Sequence, residues 1–207
     1  MKKIILISLI LCLQKVSSQK IRKDYPLSKI IEETSGLEII DDLFITHNDS
    51  GGEPSLYYLS KKGKILNERK IKSASNTDWE DITKDEKYIY IGDFGNNFNN
   101  RTDLKIFKVP IDRNSKEKNE IISFKYPEQK SFKVNKKTIY DGEGLISIDN
   151  SLIIFTKNRD KRITELYLVS KDPGDYHAKK IGVLNVESIV TGADYNEKLK
   201  LLVLTST

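Results

Sequence analysis

Residues 143–158 read EGLISIDNSLIIFTKN: a Gly after an acid, an apolar stretch, a two-residue polar turn and an apolar run ending in polar residues. The same phrase occurs around Ser35-Gly36-Leu37, leading to LFITHND (43–49), and around Glu80-Asp81-Ile82, leading to YIYIGDFGNN (88–97). A fourth instance, Gly192-Ala193-Asp194, leads to LLVLTST (201–207). Recurrence at a spacing of roughly 45 to 60 residues identifies a propeller or a solenoid before other folds.

Each unit resolves into short runs rich in Ile, Val, Tyr, Phe and Thr, separated by Asn, Asp, Gly and Lys-Gly turns. The first holds GLEII, LFITHND, SLYYLS and KILNERKI; the second EDITK, YIYIGD, LKIFKVP and IISFKYP; the third EGLISI, LIIFTK, ELYLVS and KKIGVLN. Four strands with short connections make an antiparallel meander, and no segment after the amino terminus keeps a 3.6-residue apolar period. The expected fold is therefore all-β: a β-propeller of four-stranded antiparallel blades, with about three and a half blades present. Converging inner strands would explain Gly36, Gly144 and Gly192, and YIYI and LIIF fit strands covered on both faces. A β-sandwich is the alternative, but it does not require the phrase to recur in register. Three and a half blades cannot close a ring. The expectation is accordingly the amino-terminal part of a six-bladed propeller, truncated at its carboxyl end.

Residues 1–18 carry Lys2 and Lys3, the apolar run IILISLILCL and the small residues Val16-Ser17-Ser18. This is the pattern of a secretory signal cleaved before Gln19, with an uncleaved anchor as the alternative. Cys12 invites a lipoprotein reading, but Leu11 stands where a small residue is wanted. Residues 19–207 would form the propeller domain, secreted or periplasmic, with no stable membrane anchor after cleavage. Cleavage would lower the formal charge from +5 to +2 and leave no cysteine, so core packing or bound ions must replace disulfides. A mixed-sign surface near neutrality gives no electrostatic footprint for nucleic acid.

Polar residues gather where the phrase begins and where the second strand ends: NTDWED, YDGE, HND, DFGNN and TGAD. Blades placed around one axis would bring Asp49, Glu80, Asp93, Glu143 and Asp194 to one channel mouth. Such a set of hard oxygens suits Ca²⁺, which takes six to eight oxygen ligands. The bland alternative is that these Asp and Asn residues build turns. Asn48, Asn158 and Trp79 are candidate contacts for a small-molecule or protein ligand, with Trp79 alternatively a wedge between blades. Arg101 is expected to tie down the loop DFGNNFNNRTD. His47 is the better of two histidines for acid–base work or metal contact, because His177 reads as part of an ordinary turn. No Gly-x-Ser-x-Gly elbow, phosphate loop or Cys/His zinc spacing is present.

In order, HNDSGG (47–52), LYYLSKKGKIL (56–66), NTDWEDI (76–82), YIYIGDFGNN with Arg101, FKYP (124–127), YDGEGL (140–145), IIFTKNR (153–159) and VTGADY (190–195) resemble a group of secreted bacterial β-propellers. That group is similar to the SdiA-regulated and gluconolactonase-like six-bladed propellers, and the resemblance spans about residues 33 to 207. It implies a propeller fold and either calcium-dependent lactonase activity or non-catalytic binding. It also implies a divalent metal held by an acid at an inner-strand start, matching Glu80 or Glu143, with Asp194 among the later ligands. Ser35 stands where the first blade would carry an acid. Three functions follow as expectations: binding of a ligand or partner with Ca²⁺, metal-dependent hydrolysis of a lactone or phosphoester, or a non-functional truncated product.

Overall fold

The computed structural model describes residues 23–207; the signal-peptide reading of residues 1–18 lies outside the described residues. Among the described residues no helix is long and apolar enough to cross a membrane. Within the described residues, one 3-10 turn, Lys29–Ile31, precedes fifteen strands.

The described residues are all-β and form four sheets in sequence order. The first contains β1 (Thr34–Ile40), β2 (Leu43–Asn48), β3 (Ser55–Leu59) and β4 (Ile65–Lys70), paired antiparallel in chain order. The second contains β5 (Trp79–Lys84), β6 (Tyr88–Asp93), β7 (Lys105–Pro110) and β8 (Glu120–Lys125). The third contains β9 (Asp141–Ile148), β10 (Ser151–Lys157), β11 (Ile163–Ser170) and β13 (Lys179–Asn185). The fourth pairs β14 (Val190–Asn196) with β15 (Leu201–Ser206). Asp41 and Asp42, both with positive φ, close the β1–β2 hairpin as a two-residue turn whose twist matches the strands.

One strand departs from the expected pattern. β12 (Gly174–His177) leaves the third sheet between β11 and β13 and pairs in parallel with β8 as a fifth strand of the second sheet. His177 therefore lies in a strand opposite Lys125, not in an ordinary turn. The crossing strand covers an edge of the second sheet that would otherwise present unpaired backbone groups.

The sheets stack face to face, with a core at each junction. Ile45, Leu56, Trp79, Ile82, Ile89, Ile91 and Phe107 fill the space between the first and second sheets. Tyr90, Phe94, Ile106, Phe124, Leu145, Leu152, Ile154 and Tyr167 fill the next junction. Ile146, Phe155 and Val190, with Leu202 and Leu204, form the third. The YIYI run is apolar throughout because its alternating side chains serve different cores: Ile89 and Ile91 face the first sheet, Tyr90 the third. The inner strands β1, β5, β9 and β14 pack one against the next. No ring closure is seen among the described residues. Leu37 and Ile39 on β1 are exposed, as are Leu201 and Val203 on β15.

The repeated phrase has one structural meaning. Each inner strand carries an irregularity in its pairing with the strand that follows, at the position of the phrase. In β5 the register passes from Trp79↔Asp93 to Asp81↔Gly92, so Glu80 is the extra residue. In β9 it passes from Gly142↔Thr156 to Gly144↔Phe155, leaving Glu143 extra. In β14 the extra residue is Thr191, and in β1 the shift spans Ser35 and Gly36. A bulge re-aims a side chain out of the regular pleat. Close approach of the inner strands explains the neighbouring glycines: a Cβ at Gly36 would meet the Ile82 backbone, and one at Gly144 would meet Ala193.

Candidate functional site

The two acidic bulges point to one place. Carboxylate oxygens of Asp49, Asp78 and Glu80 lie within 4.8 Å of one another, and so do those of Glu80, Asp141 and Glu143. Glu80 belongs to both triads. Three sheets contribute: Asp49 follows β2, Asp78 precedes β5, Glu80 is in the β5 bulge, Asp141 opens β9 and Glu143 is in the β9 bulge. Gly95 makes the approach possible, since a Cβ there would collide with the carboxylates of Glu80 and Asp78.

The second triad is largely neutralised by the protein. Lys157 Nζ lies 2.5 Å from Glu143 Oε1, and Arg159 Nη1 lies 2.8 Å from Asp141 Oδ2. Asp141 Oδ1 also accepts the Asn96 amide at 2.7 Å. The first triad differs. Glu80 is 7% exposed, and no hydrogen-bond donor or cation among the described residues reaches its carboxylate. Burial, then the negative neighbours Glu143, Asp49, Asp78 and Asp141, push its pKa well up. Burial lifts Asp78 to about 6, helped by Asp49. Glu143 is raised by burial and by Asp141, against the pull of Lys157, and Asp49 is raised chiefly by burial. A divalent cation among these oxygens would reverse that logic by favouring every ionised form.

Of the five residues expected as metal ligands, the structure brings Asp49, Glu80 and Glu143 together. Asp93 is fully buried and its Oδ1 is taken: Arg101 pairs with it at 2.9 Å and the Asp78 amide donates to it at 3.1 Å, while Oδ2, without a hydrogen-bond donor among the described residues, has Lys105 3.7 Å away. Asp194 is exposed on β14, where its charge acts on Glu38 rather than on the triads. Thr191, not Asp194, occupies the bulge equivalent to Glu80 and Glu143.

The other candidates are structural. Trp79 is fully buried, packs at 5.9 Å against Phe107 and donates its Nε1–H to Ser75 O at 2.9 Å. It is a wedge between the first two sheets, not the floor of a cavity. His47 is also fully buried, set edge-on to Trp79 at 5.6 Å with Nδ1 2.9 Å from Asn48 O; burial lowers its pKa to about 4. That placement removes it from acid–base work at the acidic cluster. Asn48 donates to Ile30 O at 2.7 Å, tying the end of β2 to the segment before β1, and Asn158 Oδ1 accepts the Lys161 amide at 2.9 Å within a local turn. Arg101 does tie its loop, donating to Gly95 O at 3.0 Å and Asp93 O at 3.3 Å.

Sequence reasoning passed over Asp78 and Asp141 as ligands, and Lys157 and Arg159 as their counter-ions. A signal was present: Asp78-Trp79-Glu80 and Asp141-Gly142-Glu143 are both Asp-x-Glu at the phrase.

No family model and no curated protein matches the chain. Among solved structures it is similar to the crystal structure of the computationally designed Ika4 protein, at 8% identity and a TM-score of 0.42, over 92% of this chain and 99% of that one. That likeness is too slight to assign a fold or a function.

Proposed function

We propose that each sheet is a blade of a secreted β-propeller of the SdiA-regulated and gluconolactonase-like kind, and that the acidic cluster is a Ca²⁺ site at its channel mouth where a ligand or partner binds. Face-to-face stacking of the sheets, adjacent inner strands and a bulge recurring on each of them support the propeller reading. The observation that carries the cation is the Glu80 carboxylate, buried, unpartnered and shared by both triads. Ionised carboxylates at this density are costly without a counter-charge. Oxygen-only donors from aspartate and glutamate suit a hard divalent ion. Because Lys157 and Arg159 already serve the second triad, the cation seat is Asp49, Asp78 and Glu80.

Metal-dependent hydrolysis of a lactone or phosphoester is the second reading. With His47 buried in the core it would need a carboxylate as base, whereas binding needs no such group. Glu80→Gln and Glu143→Gln would abolish turnover if that reading held.

The test of the cation is thermal melting of the full chain after chelation, with and without added Ca²⁺. A ligand at a hundred times its Kd stabilises by about 2.7 kcal/mol, so the midpoint should rise by several degrees. The rise should vanish in Glu80→Gln. An unchanged midpoint in the parent protein would remove the cation from the proposal.

A further inference from the structure

Beside the first triad lies a cavity of about 580 Å³ lined by residues of opposite character, among them Asp78, Asn97, Phe98, Arg101, Lys136 and Arg159. We infer that this cavity is an anion seat, taking the carboxylate or phosphate of a small organic ligand that also carries an apolar group. The inference rests on the cation reading above and extends it to the class of ligand.

The lining divides into a spent part and an available part. Arg101 is committed to Asp93, Asp103 and two backbone carbonyls. Arg159 spends one terminal nitrogen on Asp141 and the other on Asn97 Oδ1 at 2.6 Å, yet stays half-exposed on the cavity wall. A guanidinium has five donor hydrogens, so two such bonds leave donors to spare. Lys136 is freer: it is exposed, and among the described residues its ammonium group meets only the Phe98 ring, 5.6 Å from the ring centroid. Phe98 is 49% exposed and lines the cavity, so its ring is available to an apolar group. A cation pair facing an exposed aromatic ring, with an acidic metal seat at one end, fits a ligand with an anionic head and a flat or apolar body.

The seat would work only with the cation in place. Among the described residues, the carboxyl groups of Asp49, Asp78, Glu80, Asp93, Asp141 and Glu143 outnumber the cations beside them, Arg101, Lys157, Arg159 and Lys105. Those that are ionised would repel an incoming anion. A bound divalent ion changes the sign of that field and offers open coordination positions to the anion itself. Anion affinity is therefore coupled to cation affinity, and the coupling is reciprocal.

The test is calorimetric titration of the full chain with phenyl phosphate and, separately, benzoate, in calcium and in chelator. Saturable binding of either probe is expected in calcium, weaker by about tenfold or more in chelator. Lys136→Ala and Phe98→Ala should each weaken it by about three- to tenfold with unchanged melting, because both side chains are exposed. A calcium-loaded chain that ignores both probes overturns the inference, as does binding that neither substitution alters. Calcium titration alone keeps the two proposals separate. A chain that takes up no calcium fails the cation reading, whereas one that binds calcium but neither probe fails only the anion seat. The two probes also distinguish a phosphate ligand from a carboxylate.

Discussion

The Asp81 carboxylate on β5 accepts a hydrogen bond from the Ala193 amide on β14, 3.2 Å away and 112 positions later in the chain. The same oxygen accepts the Leu145 amide of β9 at 2.8 Å, while its partner oxygen takes the Ile82 amide at 2.9 Å. One buried side chain thus ties together the inner strands of three sheets. Asp81→Ala should cost about 2–4 kcal/mol in denaturant unfolding, since it strands several buried donors. Asp81→Asn keeps an acceptor and should cost less. A loss under about 0.5 kcal/mol for the alanine variant would mean that other groups satisfy these amides.

Stability should fall as pH rises when no divalent cation is present. Burial raises Asp78 to about 6 and Asp81 to about 7, and Glu80 and Glu143 are raised as well. Unfolded carboxylates titrate near about 4, so between pH 4 and about 7 the folded state binds more protons than the unfolded one. The stabilisation is complete below the unfolded values and is lost as pH climbs through the folded ones. His47, lowered to about 4, acts in the opposite sense below about 6.5. In chelator, melting midpoints should decline from pH 6 to pH 8, and calcium should flatten or reverse the slope by favouring the ionised cluster. A midpoint that climbs over this range in chelator would contradict the assignment.

Gly95→Ala should separate the site from the fold. The atoms nearest the added methyl belong to the carboxyl groups of Glu80 and Asp78, at the ends of side chains that can swing away at little cost to the sheets. Calcium affinity should drop by more than about tenfold, because a ligand geometry displaced by an ångström is lost, while melting in chelator stays close to the parent. Equal calcium affinity in parent and variant would place the ion elsewhere.

Trp79 provides an internal probe. As the lone tryptophan, buried at the first sheet junction, it should emit at short wavelength in the folded chain. Calcium and phenyl phosphate should leave that emission unmoved, because the ring does not line the cavity. Trp79→Ala should destabilise by about 3–5 kcal/mol through the void it opens. A large ligand-dependent shift in emission would restore the ring to the binding site.

Local pattern made much of this protein readable. Three four-strand units, the start of a fourth, and the doubly covered runs YIYI and LIIF all follow from alternation and turn residues, which act over a few positions. The position of the acids was legible as well, through Asp-x-Glu at two phrases. Their roles were not. Glu80 and Glu143 leave the pleat because one extra residue sits in each inner strand, and a bulge is a property of two paired strands, not of one. The same register puts Thr191 rather than Asp194 at the equivalent place in β14.

His47 and Trp79 show the same limit from the other side. HND and TDWED look like polar rim segments, yet pairing turns the two rings inward to meet each other in the core. β12 is the plainest case, since GDYH after Asp172-Pro173 has every mark of a turn and becomes a strand only because β8 of the preceding sheet offers it an edge. Alternation and turn chemistry are short-range and are written along the chain. Which carboxylates gain a counter-ion, which is left for a cation, and which aromatic rings lose water depend on contacts between residues tens of positions apart, and those exist only once the sheets have stacked.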